Sequence, residues 1–125
     1  LIKIGLPDPS ATISVSKIHK VKAVPGFYFM RDINGTIIYI GESLNINQRL
    51  NKHILGKSSV TREFHHEFHS VDVFYCDKKE RRIYEIFAIN LYDPIGNVDD
   101  NDSADKKELQ SRRNKWIDGL KSAKP

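Results

Sequence analysis

The chain has one cysteine, Cys76, so no internal disulfide can form and no cysteine pair can hold a metal or cycle between redox states. That usage suits a reducing compartment, and the expectation is a cytoplasmic protein of a bacterial or phage-like intracellular setting. No apolar run approaches the roughly 18 residues a membrane-spanning helix needs, and no secretory signal pattern is present. Internal repeats, low-complexity tracts and a glycine-rich phosphate loop are also missing. Membrane proteins, disulfide scaffolds and P-loop nucleotide enzymes are thereby set aside. The sequence opens on Leu1 rather than Met, as a chain trimmed from something longer would.

What is there is a chain of 125 residues, 39% apolar and 29% charged, which fits one globular domain with a real core. Twenty Lys and Arg against sixteen Asp and Glu give a net charge of +4, compatible with a nucleic-acid partner because cations neutralise phosphates. Residues 1–23, punctuated by Pro7 and Pro9, read as an N-terminal extension, with room for a short strand in "ATISVSKIHKVKAV". Residues 24–98 read as the domain core. Residues 99–125 read as an acidic connector followed by a basic helix whose apolar contacts are Leu109, Trp116 and Leu120.

The core opens on "GFYFMRDINGTIIYIG", two β-prone runs around Asn34-Gly35. Asn-Gly between such runs signals a hairpin, because both residues tolerate positive φ. A two-residue turn pairs Ile33 with Thr36, Met30 with Tyr39 and Tyr28 with Gly41. Tyr28, Met30, Tyr39 and Gly41 then share one face, with Tyr28 and Tyr39 as diagonal neighbours about 7–8 Å apart and open space at Gly41. A helix follows, capped by Asn45 with Gln48 three residues on, striped by Ile46, Leu50 and Ile54, and stopped at Gly56. Arg49 and His53 are four apart and stack on one side of it, beside the apolar stripe.

"SSVTREFHHEFHSV" predicts a second short helix with Phe64 and Phe68 inward, "VDVFYC" a third strand, and "KKERRIYEIFAINLY" a third helix ended by Pro94. In that helix Ile83, Tyr84, Ile86, Phe87, Ala88, Ile89, Leu91 and Tyr92 wrap almost the full circumference, which predicts burial on most sides. Glu85 sits inside the run. It is either a carboxylate at the helix margin paired with Arg81 or Arg82, or one facing a polar cleft and holding a divalent metal. His65, His66 and His69 invite a zinc reading, but they lack the His-Glu-x-x-His order and a matched third ligand, and a polar face over Phe64 and Phe68 accounts for them. The fold class expected is mixed α+β: a small three-stranded antiparallel sheet flanked by helices.

Taken together these positions resemble the GIY-YIG endonuclease family. The first motif reads Gly26-Phe27-Tyr28, with Phe for the usual Ile, and the second reads Tyr39-Ile40-Gly41 unchanged. Arg49 follows that glycine by eight residues, His53 comes four later, Glu85 lies on the third helix, and Asn97 follows it by twelve. The resemblance spans roughly Pro25 to Asn97. It implies a metal-dependent endonuclease hydrolysing DNA phosphodiester bonds, with one divalent cation, Mg²⁺ or Mn²⁺, on Glu85. It further implies Tyr28 as general base or water-orienting group, Tyr39 as its assistant, Arg49 stabilising phosphate charge, and His53 contacting phosphate or moving a proton. Gly26, Gly41 and Asn97 would shape the site.

The chemistry is coherent. A guanidinium fork matches phosphate oxygens. A tyrosine at its ordinary pKa is phenolate in only about one molecule in a thousand at pH 7, so Tyr28 needs cationic neighbours, for which Arg49, the metal and protonated His53 are the candidates. Several members of the family carry Lys directly after the second motif, where this chain has Glu42; Lys52 or Lys57 are possible substitutes. Further DNA-backbone contacts are expected from Lys52, Lys57, Lys106, Lys107, Arg112 and Arg113, with Lys115 beside them. The alternatives are a catalytically weak nucleic-acid-binding module of the same fold, and an interaction domain in which the tyrosines and Glu85 are merely packed.

Overall fold

Alternating bulky residues around a turn dictate strand pairing, and the computed structural model, which describes residues 5–101 and 105–123, forms one antiparallel sheet. Its strands are β1 (Ala11–Ser14), β2 (Gly26–Arg31), β3 (Ile37–Ser43) and β4 (Ser70–Tyr75), in the order β1-β4-β2-β3. The helices are α1 (Ile46–Ile54), α2 (Arg81–Tyr92) and α3 (Lys106–Ala123), with 3-10 segments at Val15–Lys20 and Arg62–Glu67. The sheet thus has four strands, not three. The extra one comes from the N-terminal stretch: Ala11 pairs with Val73 and Ser14 with Ser70. Four short residues with only two half-buried apolar side chains gave little sign of a strand. The middle of the acidic connector, residues 102–104, lies outside the described residues.

The hairpin keeps the expected register at the site and departs from it at the tip. Tyr28 pairs with Gly41 and Met30 with Tyr39. The Ile33–Thr36 pair does not form. Asp32 closes the loop instead: its N–H donates to Thr36 O (3.0 Å) and its C=O accepts from Gly35 N–H (3.0 Å), with Gly35 at φ 82°. Asp32 Oδ1 also accepts from the N–H groups of Asn34 and Thr36, both at 3.0 Å. An aspartate that captures two amides favours this wider turn, with glycine in the left-handed position, over the two-residue one. Alone, it would slip the register by one and turn the tyrosines to the wrong face. A bulge at Ile38 absorbs the slip, since Arg31 pairs with Ile37 but Met30 with Tyr39. Ile38 and Tyr39 consequently enter the same core layer.

Each face of the sheet has its own core. Tyr28, Met30, Tyr39, Val71 and Val73 meet Ile46 and Leu50 of α1, Phe64 and Phe68 of the 3-10 stretch, and Ile117 of α3. Phe27, Phe29, Ile40 and Phe74 meet Ala88 and Ile89 of α2. Asp72 lies almost fully buried between β1 and β2, held by Arg31 (2.9 and 3.0 Å) and Thr12 Oγ1 (2.9 Å), so its charge is paired.

Helix α1 is bounded as its sequence indicates. Asn45 Oδ1 accepts from Gln48 N–H (3.1 Å), and Gly56 at φ 71° ends it with Lys57 N–H to Lys52 O (2.9 Å). Helix α2 differs from expectation. Only Ala88 and Ile89 are buried, while Ile83, Ile86, Leu91 and Tyr92 are exposed. One sheet face covers one side of a helix, and among the described residues no second layer lies over the other.

Gly26 is where β2 comes closest to its neighbours: a Cβ there would lie 2.2 Å from Phe74 O and 2.5 Å from Ile46 Cδ1, whereas one on Gly119 of α3 would touch nothing within 4 Å. Urea denaturation should therefore show Gly26→Ala destabilised by about 1–3 kcal/mol. Gly119→Ala, in a helix interior, should be stabilised by about 0.5–1 kcal/mol.

Candidate active site

The site grows from Tyr28, whose ring points off β2 toward the residue paired with it. That partner is Gly41, and a Cβ there would lie 2.4 Å from Tyr28 Oη. The space left by the missing side chain is thus filled by the phenol itself, not left open as the sequence suggested. The phenol is 1% exposed, and its oxygen would cost free energy without a polar partner. His53 supplies one from the last turn of α1, with Nε2 2.9 Å from Tyr28 Oη. The other ring nitrogen, Nδ1, lies 2.7 Å from Thr61 Oγ1. His53 and Thr61 are both 0% exposed, and the imidazole is walled by the rings of Tyr39 (5.1 Å) and Phe68 (6.3 Å).

This placement corrects the expectation for His53. With both nitrogens engaged in the interior, it does not reach a phosphate arriving from solvent. Burial first, and then the Arg49 charge, push its pKa down to about 3, so it is a neutral imidazole rather than the imidazolium expected beside Tyr28.

Arg49 sits one turn before His53, partly buried, and its charge acts on Tyr28. Its charge also acts on Tyr39. Both phenols are nonetheless held neutral. Burial raises Tyr28 well above its ordinary range, aided by Tyr39 and Glu85 and opposed by Arg49. Burial pushes Tyr39 up to about 12, against Arg49 and with Glu85, Asp100 and Glu42. Desolvation outweighs one guanidinium, so the resting site contains phenols and not phenolates.

Glu85 comes from α2, half-buried, and its charge is felt at both tyrosines. Burial, Glu42 and Asp100 push it up to about 7, beyond what Arg82 and Arg81 offset. It is therefore not neutralised by a margin arginine. It lines a cleft of about 240 Å³ with Arg82, Ile86, Asp99 and Asp100. A partly desolvated carboxylate among other carboxylates fits a hard divalent cation. Among the described residues no three His, Cys, Asp or Glu side chains converge as a ready-made metal cage, so such an ion would draw its other ligands from water or substrate.

Glu42 has a structural account. It lies on the α2 side of β3 and pairs with Arg81, Nε to Oε2 2.7 Å. Asn97 is buried beside the outer edge of β3, accepting from Ile40 N–H and donating to Ile40 O, both 2.8 Å. Gly96 N–H donates to Ile38 O (2.8 Å) at the bulge. Together they pair an edge that would otherwise stay open.

The basic residues divide. Lys52, Lys57, Lys107, Arg112 and Lys115 are exposed, and Lys106 reaches Asp99 O (3.2 Å). Arg113 is turned inward, 5.5 Å over the Phe64 ring and 3.4 Å from Val60 O, fastening α3 to the 3-10 stretch rather than standing free for DNA. His65 Nδ1 binds Ile54 O (3.1 Å), and no zinc ligand set forms among the described residues. Sequence reasoning missed Thr61, Gly96, Asp100 and the Glu42–Arg81 pair. A position eight residues beyond His53 in an irregular stretch, as Thr61 is, carries no periodic signal.

Comparison with known proteins points one way. The family model for the GIY-YIG catalytic domain matches residues 24–98. The UvrABC system protein C of Lactobacillus helveticus (strain DPC 4571) is 35% identical over 85 residues, covering 66% of this chain but 14% of that protein. The uncharacterized protein YurQ of Bacillus subtilis (strain 168) is 25% identical over 119 residues, covering 79% of this chain and 96% of its own length. The crystal structure of the GIY-YIG N-terminal endonuclease domain of UvrC from Thermotoga maritima, bound to its catalytic divalent cation, magnesium, superimposes with a TM-score of 0.58. It is 24% identical and covers 66% of this chain and 92% of that one. At that identity the likeness is one of fold.

The buried imidazole has a thermodynamic consequence. A folded-state pKa of about 3, below the ordinary 6.5, gives stability that is fully present above pH 6.5 and is lost as pH falls toward 3. Unfolding measured by urea across that window should show wild type losing more stability than His53→Gln. The difference should approach, at most, about 1.4 kcal/mol per pH unit. Parallel curves for the two proteins would mean the imidazole titrates normally.

Proposed function

The chain belongs to the GIY-YIG family of endonuclease catalytic domains, and from that premise we propose that it cuts DNA phosphodiester bonds in a metal-dependent hydrolysis. The observation that carries this reading is the electrostatic coupling of Tyr28, Tyr39, Arg49 and Glu85, side chains from four different elements, β2, β3, α1 and α2. Packing alone gives no reason to keep a guanidinium and an unneutralised carboxylate against two buried phenols.

Glu85 would hold a divalent cation, Mg²⁺ or Mn²⁺, with the negative charge of Asp100 acting on the same carboxylate. When bound, the ion would supply charge neutralisation at the phosphate and at the leaving oxygen. Arg49 donates to the non-bridging phosphate oxygens, where its fork stabilises the charge that grows in the transition state. Tyr28, a neutral phenol at rest, orients the attacking water through its hydroxyl. A general-base role requires substrate and cation to lower its pKa first. Tyr39, one turn of the hairpin away, closes the same face and excludes water around His53. Asn97 and Gly96 act at a distance, by holding β3 straight where Tyr39 and Gly41 depart from it.

The substrate is DNA, bound along exposed cations at the end of α1, Lys52 and Lys57, and along the outer face of α3, Lys106, Lys107 and Arg112. No helix among the described residues is long and apolar enough to cross a membrane. The chain spans 14% of the UvrC protein it resembles, so this reading concerns the catalytic step alone.

Supercoiled plasmid should be nicked or linearised with Mg²⁺ or Mn²⁺ and survive in EDTA. Arg49→Ala and Glu85→Ala should each lower the rate by roughly 100-fold or more while far-UV circular dichroism stays unchanged. A wild-type protein that shifts DNA in a salt-dependent way yet never cuts it, across metals and substrates, would make this a binding module instead.

A further inference from the structure

We infer that Asn101 is a positioning residue for the cation site: it fastens the turn carrying Asp99 and Asp100 to the C-terminal end of α2, so that Asp100 shares the Glu85 cleft and holds the water shell of the ion that Glu85 would bind. The inference rests on the metal-dependent reading above, and it names a residue beyond 24–98, the stretch that the family model matches.

Asn101 follows two exposed aspartates, yet it is itself 0% exposed. A buried amide is tolerated when its hydrogens are used. Its Nδ2 lies 2.5 Å from Asp93 Oδ1 and 3.5 Å from Ile89 O. A carboxylate and a carbonyl can only accept, so the group between them is the NH₂ and the amide has one orientation. Asp93 ends α2 at φ 46°, the one non-glycine residue with positive φ among the described residues, and its N–H donates to the same Ile89 O at 3.0 Å. Asn101 thus grips the left-handed residue that caps α2 and the carbonyl beneath it. Ile89 lies one helical turn after Glu85.

The backbone before this grip is short and anchored at its other end. Asn101 N–H donates to Val98 O (3.4 Å), closing a four-residue turn whose central residues are Asp99 and Asp100. Val98 and Asn97 are 4% and 2% exposed, and Asn97 clamps Ile40 of β3. Buried feet on β3 and α2 therefore hold an exposed pair of carboxylates between them. Both carboxylates line the cleft of about 240 Å³ that Glu85 lines, where Arg82 is the one cation among the described lining residues. The charge of Asp100 acts on Glu85 and on Tyr39 alike. A magnesium-like ion keeps several of its waters, and a carboxylate beyond the direct ligand fixes those waters. Without Asn101 the turn keeps its carboxylates but not their place.

Mn²⁺ titration of the full chain, followed by electron paramagnetic resonance, reads the site without any cleavage. Wild type should bind the ion and Glu85→Ala should not. Asn101→Ala and Asp100→Asn should each weaken binding by roughly 10-fold, with far-UV circular dichroism unchanged. The double variant should be no weaker than either single one, because both act through one carboxylate. Asp93→Gly removes the carboxylate that Asn101 grips while easing the left-handed position, so it keeps the fold and should also weaken Mn²⁺ binding; it decides the matter if Asn101→Ala does not fold. In plasmid cleavage, excess Mg²⁺ should restore Asn101→Ala and leave Arg49→Ala slow. Wild-type affinity in Asp100→Asn, wild-type affinity in Asp93→Gly and any folded Asn101→Ala, or effects that add in the double variant overturn the positioning role while the metal reading stands. Mn²⁺ binding that is absent from wild type, or that survives Glu85→Ala, overturns the metal reading and this inference with it.

Discussion

A phenol buried against an imidazole sets the terms for the rest of this molecule. Tyr28 and His53 come from different elements, and each carries polar atoms into the interior, at 1% and 0% exposure. Such groups are tolerated only when paired, so β2 and α1 are locked at one distance and one rotation. The pairing also requires Gly41, because any side chain there would occupy the space of the Tyr28 hydroxyl. It requires Thr61 as well, since the far nitrogen of the imidazole would otherwise be stranded. Two further positions scattered over the chain, Gly41 and Thr61, are thereby constrained by one buried pair. The same burial keeps His53 neutral and both tyrosines protonated, which puts the site's positive charge on Arg49.

The electrostatics on the α2 side run the other way. Glu42 and Asp100 both act on Glu85, and among the described residues Glu42 is the one of the three with a close ion pair, to Arg81. By pairing with Glu42, Arg81 is drawn to the α2 face of the sheet, and its help to Glu85 is weaker than that of Arg82 and than the opposition of Glu42 and Asp100. The acid at position 42 therefore serves the negative side of the site: it sustains the surplus that a divalent cation would relieve. An acid after the second motif looked like a lost cation; in three dimensions it is a tether for α2 and a source of field at Glu85.

Legibility in the sequence followed the range of the interaction. Asn45, Ile46, Leu50 and Gly56 bound and stripe α1 through contacts a few residues apart, and all were readable from spacing. The shared face of Tyr28, Tyr39 and Gly41 and the stacking of Arg49 one turn before His53 were readable because hairpin register and helix period are local rules; the roles expected of them and of Glu85 came from the family resemblance. Helix α2 misled because eight apolar residues say that a helix can be buried all round, not that the chain has enough layers to do it. Strand β1 was faint because its partner, β4, lies about sixty residues on, and four short side chains announce no face. Thr61 and Asp100 act on the site from irregular segments, where no period exists to place them.

The hairpin shows how a local rule can fail and its consequence survive. Asp32 overrides the Asn-Gly turn by capturing two backbone amides, which adds a residue to the loop. One residue is enough to invert every side chain beyond it. The bulge at Ile38 removes that inversion before Tyr39, and its freed carbonyl is taken by Gly96 N–H. Asn97, next in sequence, clamps Ile40 on both sides. The bulge is therefore stabilised from the same two residues that finish the edge of the sheet. Asn97 matters to the tyrosines although it touches neither, because it holds the strand on which the corrected register begins.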